Sequence, residues 1–192
     1  MTTRPHHDLS ALLDDYTPFD KFEVLQIEQL RTFLAGTDNA YDYSNLLAHV
    51  VADAWILSPD FQKVLLVENT SNGYWMAPGG HCDGDPDVYA TALRETEEET
   101  GLTGITPLVS GIFDINCGCV PERSKGEVFI PRHLHFDICF AFVATSEQPL
   151  KISDESTDLQ WVDVVDIPRL NFFPEHMRRY EKTLQKWHFA EI

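Results

Sequence analysis

The sequence predicts an α/β protein: an α/β/α sandwich around a mixed β-sheet, with an added helical segment at its N-terminus. Three observations carry that reading. Strand-period runs occupy residues 46–57, 63–68 and 133–143, one long helical period lies between the second and third, and further helical stretches flank both ends.

Residues 7–36 read as helix in two pieces, broken at Thr17-Pro18. The second piece opens at Asp20 with Glu23 three residues on, carries Val24, Ile27, Leu30 and Leu34 as its apolar stripe, stops at Gly36 and is expected to lie across the sheet. Polar residues 37–44 form a loop, and residues 46–57, with Ala52, Ala54 and Trp55, form a strand. Pro59-Asp60 turns the chain back into a buried strand at residues 63–68, completing a hairpin. A short strand at residues 74–76 then delivers Pro78, Gly79 and Gly80 to the central helix. Two starts fit that helix. Either Asp85 caps it with Pro86 at the first helical position, or Asp87 caps it and it begins at Val88. Gly101 ends it.

Residues 105–116 read as one strand, and residues 121–131 as a loop whose Arg123 and Lys125, with Arg132, make a small cationic cluster, read first as an ordinary solvated loop and second as a phosphate clamp. In residues 133–143, Leu134, Phe136, Ile138, Phe140 and Phe142 alternate onto one face, and His133, His135 and Asp137 onto the other. Two histidines so placed point to the same region, where they could meet a phosphate, a base or a metal. An acidic turn at residues 153–156 precedes a strand at 159–164 with Trp161 in the core. A last helix from Pro174 packs through Met177, Tyr180, Leu184 and Trp187 and is given no catalytic role.

A chain of 192 residues, 43% hydrophobic, can bury a sizeable core and is read as one domain over residues 1–192. Within it, residues 1–45 are a helical extension, 46–165 the core and 166–192 the C-terminal helix. The net charge of -17 argues against a basic surface for nucleic acid. The N-terminal residues lack the apolar core of a secretory signal, and the longest apolar run is interrupted by His49 and Asp53 and too short to cross a bilayer. A cytoplasmic protein with a small-molecule partner, and no membrane or nucleic-acid partner, is expected. Cys117-Gly-Cys119 has no second close pair to complete a zinc site, so Cys82, Cys117, Cys119 and Cys139 are read as free thiols.

The chemistry is concentrated in residues 79–102, GGHCDGDPDVYATALRETEEETGL. On a helix Glu95, Glu98 and Glu99 share one face, while Tyr89, Leu93, Thr96 and Thr100 share another. Like charges three and four apart destabilise an isolated helix by a few tenths of a kcal/mol per pair, and only Arg94, four before Glu98, offsets this locally. A hard divalent cation would remove the penalty.

At these residues the chain resembles the Nudix hydrolase family. The family signature is a Gly, five residues, a Glu, seven residues, then Arg-Glu-apolar-any-Glu-Glu-any-Gly-apolar. Gly80, Arg94, Glu95, Glu98, Glu99, Gly101 and Leu102 match at that spacing, with Thr96 at the apolar position. Pro86 stands where the family has its first Glu, and Asp83, Asp85 and Asp87 are the neighbouring carboxylates able to replace it.

The resemblance implies the Nudix fold and hydrolysis of a phosphoanhydride in a nucleoside diphosphate linked to another moiety. Mg²⁺ or Mn²⁺ would be bound by Glu95, Glu98 and Glu99, with Arg94 orienting the glutamates and Gly80 letting the loop approach them. Arg132, His133 and His135 join Gly80 as candidate substrate contacts, and Glu155, with Asp154 second, as a later-loop carboxylate for the metals. Two other readings stand beside hydrolysis. One is an isomerase of isopentenyl diphosphate on the same fold, which would use a cysteine such as Cys82. The other is a catalytically silent nucleotide sensor.

Overall fold

The computed structural model describes residues 8–125, 128–145, 148–154 and 156–187. Two helices come first: α1 (Leu9–Asp15) and α2 (Lys21–Gly36). The start signal works as the sequence predicts, because the Asp20 carboxylate accepts the Glu23 N–H at 2.8 Å. Two strands follow as a hairpin, β1 (Ala48–Leu57) and β2 (Lys63–Asn69), then β3 (Trp75–Met76), β4 (Gly79–His81) and the central helix α3 (Val88–Thr100). The rest of the chain forms β5 (Ile105–Pro107), β6 (Asp114–Val120), β7 (Arg123–Lys125), β8 (Val128–Ile130), β9 (His133–Ala144), β10 (Ser156–Asp163) and α4 (Met177–Trp187). Among the described residues no helix is long and apolar enough to cross a membrane.

The main sheet runs β10-β2-β1-β9-β5, with β3 on β2, β4 on β1 and β6 on β9. It is mixed, because β1 and β9 pair in parallel while their other neighbours pair antiparallel. Since successive side chains on a strand alternate faces, β1 and β9 each feed two cores. Val50, Ala52, Ala54 and Ile56 join Phe136, Ile138, Phe140 and Phe142 against Leu9 and Leu13 of α1, Ile27 and Leu30 of α2, and Val88 and Ala92 of α3. On the opposite face Trp55, Leu57, Cys139 and Ala141 meet Met177, Tyr180, Leu184 and Trp187 of α4. Helices therefore cover both faces, the expected α/β/α sandwich.

Three expectations need correction. Residues 105–116 are two strands, both on β9; the pairing runs through Leu108, whose N–H meets the Ala141 carbonyl at 2.9 Å, and breaks in a turn where Gly111 takes φ 81°. Residues 121–131 hold the antiparallel pair β7-β8 rather than a plain loop. On α2, Val24 is 41% exposed, whereas Glu23 beside it is fully buried.

Glu23 is buried because α4 carries cations inward. Lys182 Nζ reaches Glu23 Oε1 at 2.6 Å and Asp114 Oδ1 at 2.7 Å, and Arg178 Nε reaches Asp114 Oδ1 at 2.7 Å. Arg179, with no side-chain exposure, donates to Asp53 at 2.6 Å and to Asp137 at 2.9 Å. Four carboxylates thus meet three cations. Burial raises the Asp53 carboxyl well above its usual range, against the pull of Arg179. The apolar stripe of α4 was legible in sequence, but this cationic side of the same helix was not.

Candidate active site

β4 lies antiparallel to β1, with Ala52 opposite Gly80 and Asp53 opposite Gly79. The chain then turns through Asp83 at φ 52° and Gly84 at φ 86°, conformations that favour short polar residues and glycine. The two possible helix starts are resolved here. Asp87 is the cap, its carboxylate accepting the Ala90 N–H at 3.0 Å, and Asp85 in turn accepts the Asp87 N–H at 2.9 Å. Pro86 therefore lies before the helix. The packing face includes buried Thr96 and Thr100, whose hydroxyls donate to the carbonyls of Ala92 and Thr96 and so bury no unpaired polar atom. Gly101, at φ 68°, closes the helix through an N–H to the Glu97 carbonyl.

A neighbouring face carries the carboxylates. Arg94 Nη1 lies 2.8 Å from Glu95 Oε1 and 3.1 Å from Glu98 Oε2, while its Nη2 donates to the His81 carbonyl at 2.7 Å. Asp83 Oδ2 is 3.8 Å from the same Nη2. Glu99 accepts the Gly79 N–H at 2.9 Å, which ties the end of the helix to the glycine turn. A Cβ on Gly80 would stand 2.6 Å from Glu95 Cδ, so the loop approaches that carboxylate as closely as it does only because position 80 is glycine. Burial raises the Glu95 carboxyl, against the pull of Arg94.

Gly80, Arg94, Glu95, Glu98 and Glu99 are thus brought to one place. Arg132 is on the surface, paired with Glu122 at 3.3 Å. Glu155 lies outside the described residues, and Asp154 is in an exposed turn. His133 and His135 are side by side, with Nε2 atoms 3.1 Å apart. They are joined by His49 and His81, which the sequence reading did not single out. His49 stands opposite His135 in the parallel β1-β9 ladder, and His81 opposite Val51 in the β1-β4 ladder. A histidine inside an apolar run was the one available signal; the strand register that gives it meaning is not local.

Two groups of described residues bring three metal-ligating atoms within 4.8 Å of one another: His49, His81 and His135, and Asp53, Asp137 and His176. The second is already held by the Arg179 guanidinium. Glu95, Glu98 and Glu99 are not among these groups; Arg94 bridges the first two, and Glu99 accepts the Gly79 N–H.

A mixed-sheet sandwich that presents a glycine turn and an Arg-Glu…Glu-Glu helix against its central strand defines a Nudix-type protein. The chain belongs to the NUDIX family, whose domain profile matches residues 47–184. It is 34% identical over 113 residues to the uncharacterized Nudix hydrolase YvcI of Bacillus subtilis, across 58% of this chain and 65% of that protein, so it spans under two thirds of that relative. It is 26% identical over 148 residues to an ADP-ribose pyrophosphatase of Methanocaldococcus jannaschii, across 76% and 78% of the two chains. The NUDIX domain of Shewanella oneidensis NrtR, solved with ADP ribose, shares the fold at TM-score 0.53 and 22% identity, covering 82% of this chain and 97% of that one.

Proposed function

We propose that this chain is a Mg²⁺-dependent pyrophosphohydrolase that cleaves the phosphoanhydride of a nucleoside diphosphate linked to another moiety. The observation that carries the reading is the Gly80–Glu95 approach with Arg94 bridging Glu95 and Glu98, the arrangement that the family's signature spacing requires. The donor set fits a hard cation. It is all oxygen, and the Glu95 side chain is only 13% exposed.

Glu95, Glu98 and Glu99 would hold the ion, which when bound would polarise a phosphoryl oxygen and lower the pKa of an attacking water. The chain's own groups do the positioning. Arg94 fixes the rotamers of Glu95 and Glu98 and, through the His81 carbonyl, the strand below them. The Gly79 N–H fixes Glu99. Orienting contacts of this kind are worth about 10- to 100-fold in metal affinity or rate. An ADP-ribose pyrophosphatase among the relatives makes ADP-ribose the first compound to assay.

The isomerase reading is disfavoured by Cys82, which is buried and whose thiol burial pushes up to about 12, so it supplies no thiolate near neutral pH. The test is release of nucleoside monophosphate from ADP-ribose, nucleotide sugars, dinucleoside polyphosphates, NADH and nucleoside triphosphates, with and without Mg²⁺. Turnover of one class that needs Mg²⁺ and is lost in Glu98→Gln supports the proposal. Tight nucleotide binding with no turnover of any class would make the protein a sensor instead.

A further inference from the structure

Four imidazoles converge on the α4-side face of the sheet, next to the glycine turn that meets α3 but on different side chains from its glutamates. His49 stands with ring centroids 4.6 Å from His135, 5.0 Å from His133 and 5.1 Å from His81, and His81 lies 5.4 Å from His135. They come from three strands, held in register by the β1-β9 and β1-β4 ladders. We propose that His49, His81 and His135 form a site for a first-row transition-metal ion, Zn²⁺ being the best fit, distinct from the carboxylate site of α3.

Tautomer and orientation are set as a metal site requires. His49 Nδ1 faces the Asn45 carbonyl at 3.1 Å, and His133 Nδ1 faces the Pro131 carbonyl at 2.8 Å. A carbonyl only accepts, so both Nδ1 atoms carry the proton and both Nε2 atoms present a lone pair. Backbone-carbonyl partners of this kind orient metal-ligating histidines and raise their basicity.

The second observation is independent. His49 is 2% exposed, and its Nε2 has no hydrogen-bond partner among the described residues. An unpaired buried nitrogen costs about 1–3 kcal/mol, and a bound cation would remove that penalty. One nitrogen each from His49, His81 and His135 already lies within 4.8 Å of the others. Zn–N bonds of about 2.0–2.1 Å in tetrahedral geometry need nitrogens about 3.3 Å apart, so the rings would close inward by small rotations. His133 stands outside that three-nitrogen group and, with Nε2 3.1 Å from His135 Nε2, is placed to hydrogen-bond and orient His135.

The alternative occupant, an anionic phosphate, fits less well. The Asn45 carbonyl, 3.1 Å away, takes the His49 Nδ1 proton, so the buried Nε2 presents a lone pair, which binds a metal and repels a phosphate oxygen. Imidazole nitrogen also selects Zn²⁺ and its neighbours over Mg²⁺, which separates the two sites chemically.

The test uses the full chain, stripped with EDTA and titrated with Co²⁺ as a spectroscopic stand-in and with Zn²⁺ by calorimetry. The expected result is one ion per chain, tetrahedral Co²⁺ absorption, affinity weakened at least about tenfold in His49→Asn and in His81→Asn, and no change in Glu98→Gln. Because His49 is buried and its variant could fail to fold, the less buried His81 provides the decisive comparison. No Zn²⁺ binding, binding unaffected by His81→Asn, or binding lost in Glu98→Gln would overturn the site. Since Mg²⁺-dependent turnover is read separately, failure here leaves the hydrolase reading standing, and the reverse holds too.

Discussion

A Cβ placed on Gly80 would lie 2.6 Å from Cδ of Glu95 and 2.6 Å from its Oε2, so the glycine turn and this carboxylate occupy adjoining space that no other residue would leave. The atoms in the way are the far end of a flexible side chain, whereas at Gly79 they are the Ala52 carbonyl and the Cα and Cβ of Asp53, at 2.6, 2.6 and 2.2 Å. The two glycines should therefore fail differently. Gly80→Ala is expected to keep its melting temperature within a few degrees and lose more than tenfold in kcat, as Glu95 is pushed aside. Gly79→Ala should lose stability first. Thermal melts and steady-state kinetics on both variants check this; a Gly80→Ala enzyme with normal kcat would remove Glu95 from the chemistry.

Glu98→Gln and Glu99→Gln should each lower turnover more than tenfold, about 2 kcal/mol or more of transition-state stabilisation, while leaving the fold intact. The amides keep shape, and a glutamine at position 99 can still accept the Gly79 N–H that Glu99 accepts at 2.9 Å. Near-normal activity in both variants would contradict their assignment as metal ligands.

Local patterns carried much of this structure. The Asp20 cap, the hairpin of β1 and β2, the alternation of β9 and the packing stripe of α4 were all visible as spacing, because each depends on neighbours within a few residues. What escaped depends on pairings distant in sequence. His49 beside His135 and Lys182 against Glu23 are set by strand register and helix docking, and a histidine or lysine in a sequence gives no sign of its partner. The division of residues 105–116 was missed for another reason: only the turn at Gly111 marks the break.

Cys82 should behave as a packing residue. It is 1% exposed and its thiol is pushed up to about 12, while Cys119 is exposed. Iodoacetamide at pH 7.5 should modify Cys119 and spare Cys82, as read by peptide mass spectrometry, and Cys82→Ala should keep its phosphoanhydride hydrolysis within about twofold. Rapid alkylation of Cys82 with loss of activity would revive the isomerase chemistry.

The buried charges of α4 set the response to acid. Burial alone would raise Asp114, but Lys182, Arg179 and Arg178 outweigh it and hold the carboxyl at about 2, below its usual 3.8. The unfolded chain therefore binds this proton more tightly. The stabilisation is present above about pH 3.8 and is lost as pH falls toward 2, about 2 kcal/mol in all. Asp114→Asn should be destabilised at pH 7 by about 3–5 kcal/mol, since Lys182 and Arg178 lose a buried partner, and should show a shallower fall between pH 4 and 2. Urea midpoints across that range measure both; parallel curves for the two proteins would contradict the coupling.

The last prediction concerns Pro86, which occupies the signature's first Glu position. Of the three nearby aspartates, Asp87 caps α3 and Asp85 holds the Asp87 N–H, so both are committed to starting the helix. Asp83 alone of the three is paired with Arg94, at 3.8 Å, and its side chain is 60% exposed, free to tighten toward the guanidinium or toward a metal-bound water. An exposed contact of this length adds little to stability, but a carboxylate that orients Arg94 would act on Glu95 and Glu98 through it. Asp87→Ala is accordingly expected to lower stability by about 1 kcal/mol with little change in kcat. Asp83→Ala should lower the melting temperature only by the small cost of alanine at φ 52° and raise the Mg²⁺ concentration for half-maximal activity by about tenfold, with Asp83→Glu restoring part of the metal response. Asp85→Ala should follow Asp87→Ala and not Asp83→Ala. Mg²⁺ titrations of initial rate, run beside thermal melts, separate the two patterns; an Asp83→Ala enzyme that titrates like wild type would mean that this site works without the function the missing Glu supplies.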